Sequence, residues 1–116
     1  MLMLQTGRGE VSISDAVLSG ITGAAATSCF GVKGMAYRSV KDGLVHLLRR
    51  EAMSKGVHIT QHDVGDISIE LHIVVESGVN IPAVCRAIIG QVRYLVSENT
   101  GAVIRSVDVF VDGMTV

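Results

Sequence analysis

The chain has no tryptophan, a single proline (Pro82), two cysteines, and only two Phe and two Tyr among 116 residues. So few rings leave little material for the stacking platforms that hold single-stranded nucleic acid. Cys29 and Cys85 show neither a C-x-x-C nor a Cys/His spacing, the pattern of a reduced intracellular protein whose thiols pack as small apolar groups. Long apolar runs are missing too. The longest, Met1 to Leu4, falls far short of the ~20 residues a spanning helix requires. The N-terminus shows no basic leader followed by a long apolar stretch, so the sequence predicts a cytoplasmic protein. There is also no excess of one charge: ten Lys+Arg stand against eleven Asp+Glu, which gives no strong electrostatic footprint for nucleic acid. Finally, the chain carries no Gly-x-Ser-x-Gly elbow, Walker loop or His-Glu-x-x-His, and its Gly7-x-Gly9 precedes a strand where a dinucleotide fingerprint must follow one. The expectation is a protein that is not an enzyme and needs no cofactor.

What is present is apolar residue in quantity, 48% against 18% charged. Over this length that describes one compact domain, here taken as residues 1–116 with 1–8 flexible, burying roughly two thirds of its unfolded surface without staples. Glu10 to Ser14 alternates as a short strand. Ser14 then reads as an N-cap, with Asp15 in the first turn and Val17, Ile21, Ala24 and Ser28 at helical spacing. That helix is rich in small residues, which predicts close approach of a neighbouring backbone. Gly31 ends it, and Gly34 to Arg38 reads as a strand. Val40, Leu44, Leu47 and Leu48 predict a second helix that Gly56 stops. Val57–Gln61 and Asp66–Val75 alternate cleanly as the two strands of a hairpin, closed by a three-residue loop at Val64-Gly65-Asp66. A third helix starts at Asn80, tolerates Pro82 in its first turn, carries an apolar stripe from Ile81 to Val96, and closes at Gly101. A last strand follows from Val103 to Val111. The order β-α-β-α-β-β-α-β predicts an α+β two-layer sandwich, a mixed sheet with helices on one face.

Four features could carry function. In the predicted hairpin register His58 faces His72, Thr60 faces Glu70 and His62 faces Ser68, so His58, Glu70 and His72 share a surface that could offer three ligands to zinc. Polar side chains are expected on an outward hairpin face in any case, and the preferred reading assigns no metal. Gly31-Val32-Lys33-Gly34 matches the G-x-x-G loop with which KH modules clamp an RNA backbone, although a helix-to-strand turn explains it more simply. The stretch from Gly31 to Lys55 carries six basic residues against two acids, while the rest carries four against nine. Its Lys33, Lys41, Arg49 and Arg50 form a candidate surface for a partner or for the neighbourhood of a membrane, though the leucines and charges there are also those of an ordinary amphipathic helix. An acid pair drawn from Asp63 and Asp66 is better read as turn residues.

Several blocks, taken in order, resemble the alkaline shock protein or general-stress family of Gram-positive bacteria, also called envelope stress response proteins, and most closely its short YloU-like branch. They are Gly9-Glu10-Val11-Ser12-Ile13-Ser14 with Val17, Gly23-Ala24-Ala25, Gly31-Val32-Lys33-Gly34-Met35, and Lys41-Asp42-Gly43-Leu44 with Gly56-Val57. They continue through Asn80-Ile81-Pro82-Val84, Val92, Thr100-Gly101, Val107 and Val109 to Val111-Asp112-Gly113. The resemblance implies a non-enzymatic cytoplasmic scaffold linked to envelope homeostasis and stress tolerance. Such a scaffold self-associates into homo-oligomers or docks on a membrane-anchored partner without itself inserting. The resemblance brings no catalytic residues with it. A KH-like RNA-binding module using Gly31 to Gly34 is the alternative.

Overall fold

The computed structural model describes residues 1–38, 45–47, 55–62 and 65–115. Its elements are β1 (Leu2–Thr6), β2 (Gly9–Ile13), α1 (Asp15–Thr27), β3 (Val32–Arg38), β4 (Val45–Leu47), β5 (Val57–Gln61), β6 (Asp66–Val75), α2 (Ile81–Thr100) and β7 (Val103–Met114). The class is α+β, as the sequence predicts.

The alternation in β6 dictates the layers. Ile67, Ile69, Leu71, Ile73 and Val75 are buried on one face, and with Val57 and Val107 they meet Leu18, Ala25 and Ala26 of α1 and Val84, Ile88, Val92 and Val96 of α2 in a single core cluster. Sheet and helices thus form two layers with the apolar residues between them. The polar alternates of β6 face the other way.

β6 is the centre of the mixed sheet. Along one edge it pairs in parallel with β7 from Asp66↔Val103 to Val75↔Met114, the two joined through α2 as a βαβ crossover. Its other edge is shared in succession: β5 covers Ile67 to Leu71 and β3 covers Ile73 to Val75, both antiparallel. After Met35, β3 leaves β6 and pairs instead with β4 through Ala36↔Leu47, Tyr37↔His46 and Arg38↔Val45.

The helix ends follow local chemistry. Ser14 Oγ accepts from Val17 N–H at 3.3 Å, and Asn80 Oδ1 accepts from Ala83 N–H at 3.1 Å, as N-caps do. Gly101, in the left-handed region, closes α2. Gly31 carries a φ of +89° in the turn from α1 to β3, and a Cβ there would lie 3.0 Å from Val84 Cγ2. Conformation and space both require glycine at this position.

Four expectations need correction. Residues 1–8, expected to be flexible, contain a strand: Leu2–Thr6 pairs antiparallel with β2, and Leu2 is 2% exposed within the core. Burying that leucine gives the N-terminal strand its reason to stay. The second helix predicted around Val40 to Leu48 is a strand wherever it is described, Val45–Leu47, the rest lying outside the described residues. A short apolar run satisfies both periods, and pairing with Ala36–Arg38 decides between them. In α1 the buried face is Leu18, Ser19, Thr22, Gly23, Ala25 and Ala26, whereas Val17 and Ala24 of the expected stripe are exposed. A helix so rich in small residues has little apolar bulk to mark its inner side. α1 contacts α2, β3 and β5, but a Cβ on Gly20 would meet nothing within 4 Å, so the close approach of a backbone expected of that glycine is not found there.

The hairpin loop, finally, sits one residue earlier than predicted. His62 N–H donates to Asp66 O and Gly65 N–H to His62 O, with Gly65 at φ +84°, so the closing pair is His62 and Asp66. The register is displaced by two residues as a result: His58 lies opposite Glu70 and Thr60 opposite Ser68. A shift of two keeps every side chain on its predicted face.

Candidate functional site on the open sheet face

The face of the sheet turned away from the helices carries a run of polar side chains from three strands. On β6 it presents Ser68, Glu70 and His72, on β5 His58 and Thr60, and on β7 Ser106, Asp108 and Phe110. Register places His58, Glu70 and Asp108 in one row across three strands, with His72 and Phe110 in the next. Asp112 follows where the β6–β7 register shifts, and its carboxylate reaches His72.

His72 is the hub. Its Nδ1 is 2.7 Å from Asp112 Oδ2 and its Nε2 is 3.2 Å from Glu70 Oε2. Phe110 stacks on its ring, centroids 4.9 Å apart at 15°, and His58 meets it edge-on at 5.7 Å. Diagonal neighbours on adjacent strands lie within reach of aromatic side chains, so the two imidazoles meet although they do not face each other directly. One possible ligand atom from each of His58, Glu70 and His72 lies within 4.8 Å of the others. The trio proposed from sequence is therefore assembled. Asp112 and Phe110, which fix the central ring, were missed. They belong to a strand far along the chain, and only the parallel pairing of β6 with β7 delivers them.

A second pair lies at the hairpin end, where His62 Nε2 is 2.7 Å from Ser68 Oγ. A shallow concavity nearby, of about 280 Å³, is lined by Met1, Leu2, Met3, Gln61, His62, Gly65 and Asp66. A serine–histidine contact alone makes no nucleophile. Among the described residues no carboxylate orients His62, as activation of a serine would require. Asp66 is engaged elsewhere, accepting from Arg105 Nε at 2.8 Å.

The other sequence candidates fall differently. Lys33 is exposed on β3, while Lys41, Arg49 and Arg50 lie outside the described residues, as does Asp63. Gly31 and Gly34 are both buried, and a Cβ on Gly34 would stand 2.9 Å from Leu47 Cδ1. They serve the turn into β3 and its packing beneath β4. An exposed backbone clamp, which the KH reading needs, is not the conformation of this segment. Cys29 and Cys85 are half-buried, and burial raises both thiols above their ordinary range, opposed at Cys29 by a hydrogen bond from Ser28. No helix among the described residues is long and apolar enough to cross a membrane.

Comparison with known proteins agrees with the resemblance read from the blocks of sequence. The protein YloU of Bacillus subtilis (strain 168) is 36% identical over 114 residues, covering 97% of this chain and 94% of YloU. Spy1614 of Streptococcus pyogenes serotype M6 is 35% identical over 114 residues, covering 97% of this chain and 93% of that protein. A further streptococcal protein, Spy1535, is 27% identical over 91% of this chain and 79% of its own length. No solved structure matches. The family model of alkaline shock protein 23, described as having a cell envelope-related function, matches residues 3–116, and the chain belongs to that family.

Proposed function

We propose that the protein is a non-enzymatic interaction module of envelope stress response and homeostasis. In this reading it is cytoplasmic and acts by self-association or by docking on an envelope-associated partner that holds it near the membrane. The observation that carries the reading is β7. It is a twelve-residue strand that pairs with β6 along one edge and has no second strand beside it among the described residues. A long free edge is a template for another chain. Among the described residues it is capped at its start, where Arg93 of α2 donates to the carbonyls of Ile104 and Arg105 at 3.1 and 3.4 Å. Beyond that point the strand presents Phe110 and Met114, both exposed. The lack of catalytic motifs in the sequence supports contact over chemistry.

Size-exclusion chromatography with light scattering, combined with crosslinking and recovery from a membrane fraction, tests this. The reading expects an oligomer or a recovered envelope partner, diminished when Val103 and Met114 are both changed to lysine. A strict monomer at high concentration with no partner recovered would overturn it.

A further inference from the structure

The contacts of His72 are unbalanced in charge: its Nδ1 is 2.7 Å from Asp112 Oδ2 and its Nε2 is 3.2 Å from Glu70 Oε2, so one ring stands between two carboxylates. With an Nδ1–H given to Asp112, Nε2 presents a lone pair toward Glu70, an arrangement that a cation between the two would balance. The next row adds to the imbalance, because Glu70 is opposite Asp108 on the parallel strand, and like charges directly opposite are destabilising. His58, on Glu70's other side, is exposed and has a ring nitrogen within 4.8 Å of the ligand atoms of Glu70 and His72.

We propose that His58, Glu70 and His72 bind a divalent cation of the zinc class on the open sheet face, with Asp112 as the positioning carboxylate. Two imidazoles and one carboxylate are a three-ligand set that leaves a fourth coordination position open to solvent. Donors bound at about 2.0–2.1 Å in a tetrahedron are about 3.4 Å apart, close to the 3.2 Å between Glu70 Oε2 and His72 Nε2. His58 is exposed and can close the remaining gap by rotating its side chain. Asp112 accepting from Nδ1–H is the arrangement that orients a ligating histidine and fixes Nε2 as the donor atom, while Phe110 stacked on the ring holds its plane. Imidazole nitrogen favours zinc, cobalt or nickel over magnesium or calcium. A bound ion would tie β5 to β6 across the open face, whatever the assembly state of the chain.

The test is titration of the full-length chain with zinc, followed by calorimetry and by the melting temperature, and with cobalt(II), followed by its visible absorption. One ion per chain is expected, with a raised Tm and intense tetrahedral cobalt bands. His58→Gln and His72→Gln should each weaken binding at least about tenfold, and Asp112→Asn by about 10–100-fold. His62→Gln, outside the trio, should leave it unchanged. Because His58 is exposed, its variant keeps the test open should the His72 variant fold poorly. Any one of three results overturns the proposal: no binding at micromolar zinc, zinc affinity untouched by His58→Gln, or equal competition by magnesium, which would mark a diffuse acidic patch.

Discussion

Arg105 Nε stands 2.8 Å from Asp66 Oδ2, joining the first residue of β6 to the extra residue of a bulge in β7. The register runs Ile67↔Ile104 and then Ser68↔Ser106, so Arg105 is the residue without a partner in the ladder. Its side chain is 53% exposed while that of Asp66 is only 13% exposed. The pair therefore matters more to the carboxylate than to the guanidinium. Arg105→Ala is expected to lower stability by about 1 kcal/mol, read as a reduced urea midpoint with unchanged slope. An unchanged midpoint would mean that the bulge alone holds this end of the sheet.

The N-terminal strand gives a sharper expectation. Leu2 is 2% exposed and belongs to the core cluster, so Leu2→Ala should cost about 2–4 kcal/mol, the range of a buried leucine truncation. Met3→Ala, at an exposed position of the same strand, should cost far less. Equal, small effects for both substitutions in chemical denaturation would show that β1 contributes nothing to the fold.

Two glycines separate backbone strain from crowding. Gly65 has φ +84° and open space for 4 Å around the point where a Cβ would stand, whereas Gly31 has φ +89° with Val84 Cγ2 at 3.0 Å and Val79 Cγ1 at 3.1 Å from that point. Gly65→Ala should therefore lose about 1 kcal/mol from the left-handed conformation alone, and Gly31→Ala about 2–3 kcal/mol because two valines must also shift. Thermal unfolding of the two variants side by side checks the order.

Burial disfavours the thiolates of Cys29 and Cys85 and so raises both groups in the folded chain. The stability this contributes is fully present below the ordinary thiol range and is lost as pH rises through the raised values. At about pH 8.5, where an unperturbed thiol is half ionised, alkylation by iodoacetamide should be slower in the native chain than in urea. Equal rates in the two states would contradict the shift.

Much of the fold is legible because its strongest signals are local. β5 and β6 have the bounds that alternation predicts, and α2 begins at Asn80 and ends at Gly101 as capping chemistry requires. What escaped depends on partners distant in sequence. Val45–Leu47 becomes a strand only because Ala36–Arg38 is there to pair with it. The direction of α1 depends on neighbours its alanines cannot announce. At the site, the face shared by His58, Glu70 and His72 follows from period two and survives a displaced register. Asp112 and Phe110 were invisible because parallel pairing across a helical crossover leaves no local trace in either strand.

The sharing of one edge of β6 by β3 and β5 has an architectural consequence. Strand β3 departs after Met35, β5 arrives at Val57, and a Cβ on Gly56 would lie 2.9 Å from the Ala36 carbonyl oxygen, so departure and return are neighbours. The stretch between them is topologically an insertion with adjoining ends. With its ends adjoining, a connection of another length between them would close the same frame at little extra cost in loop entropy.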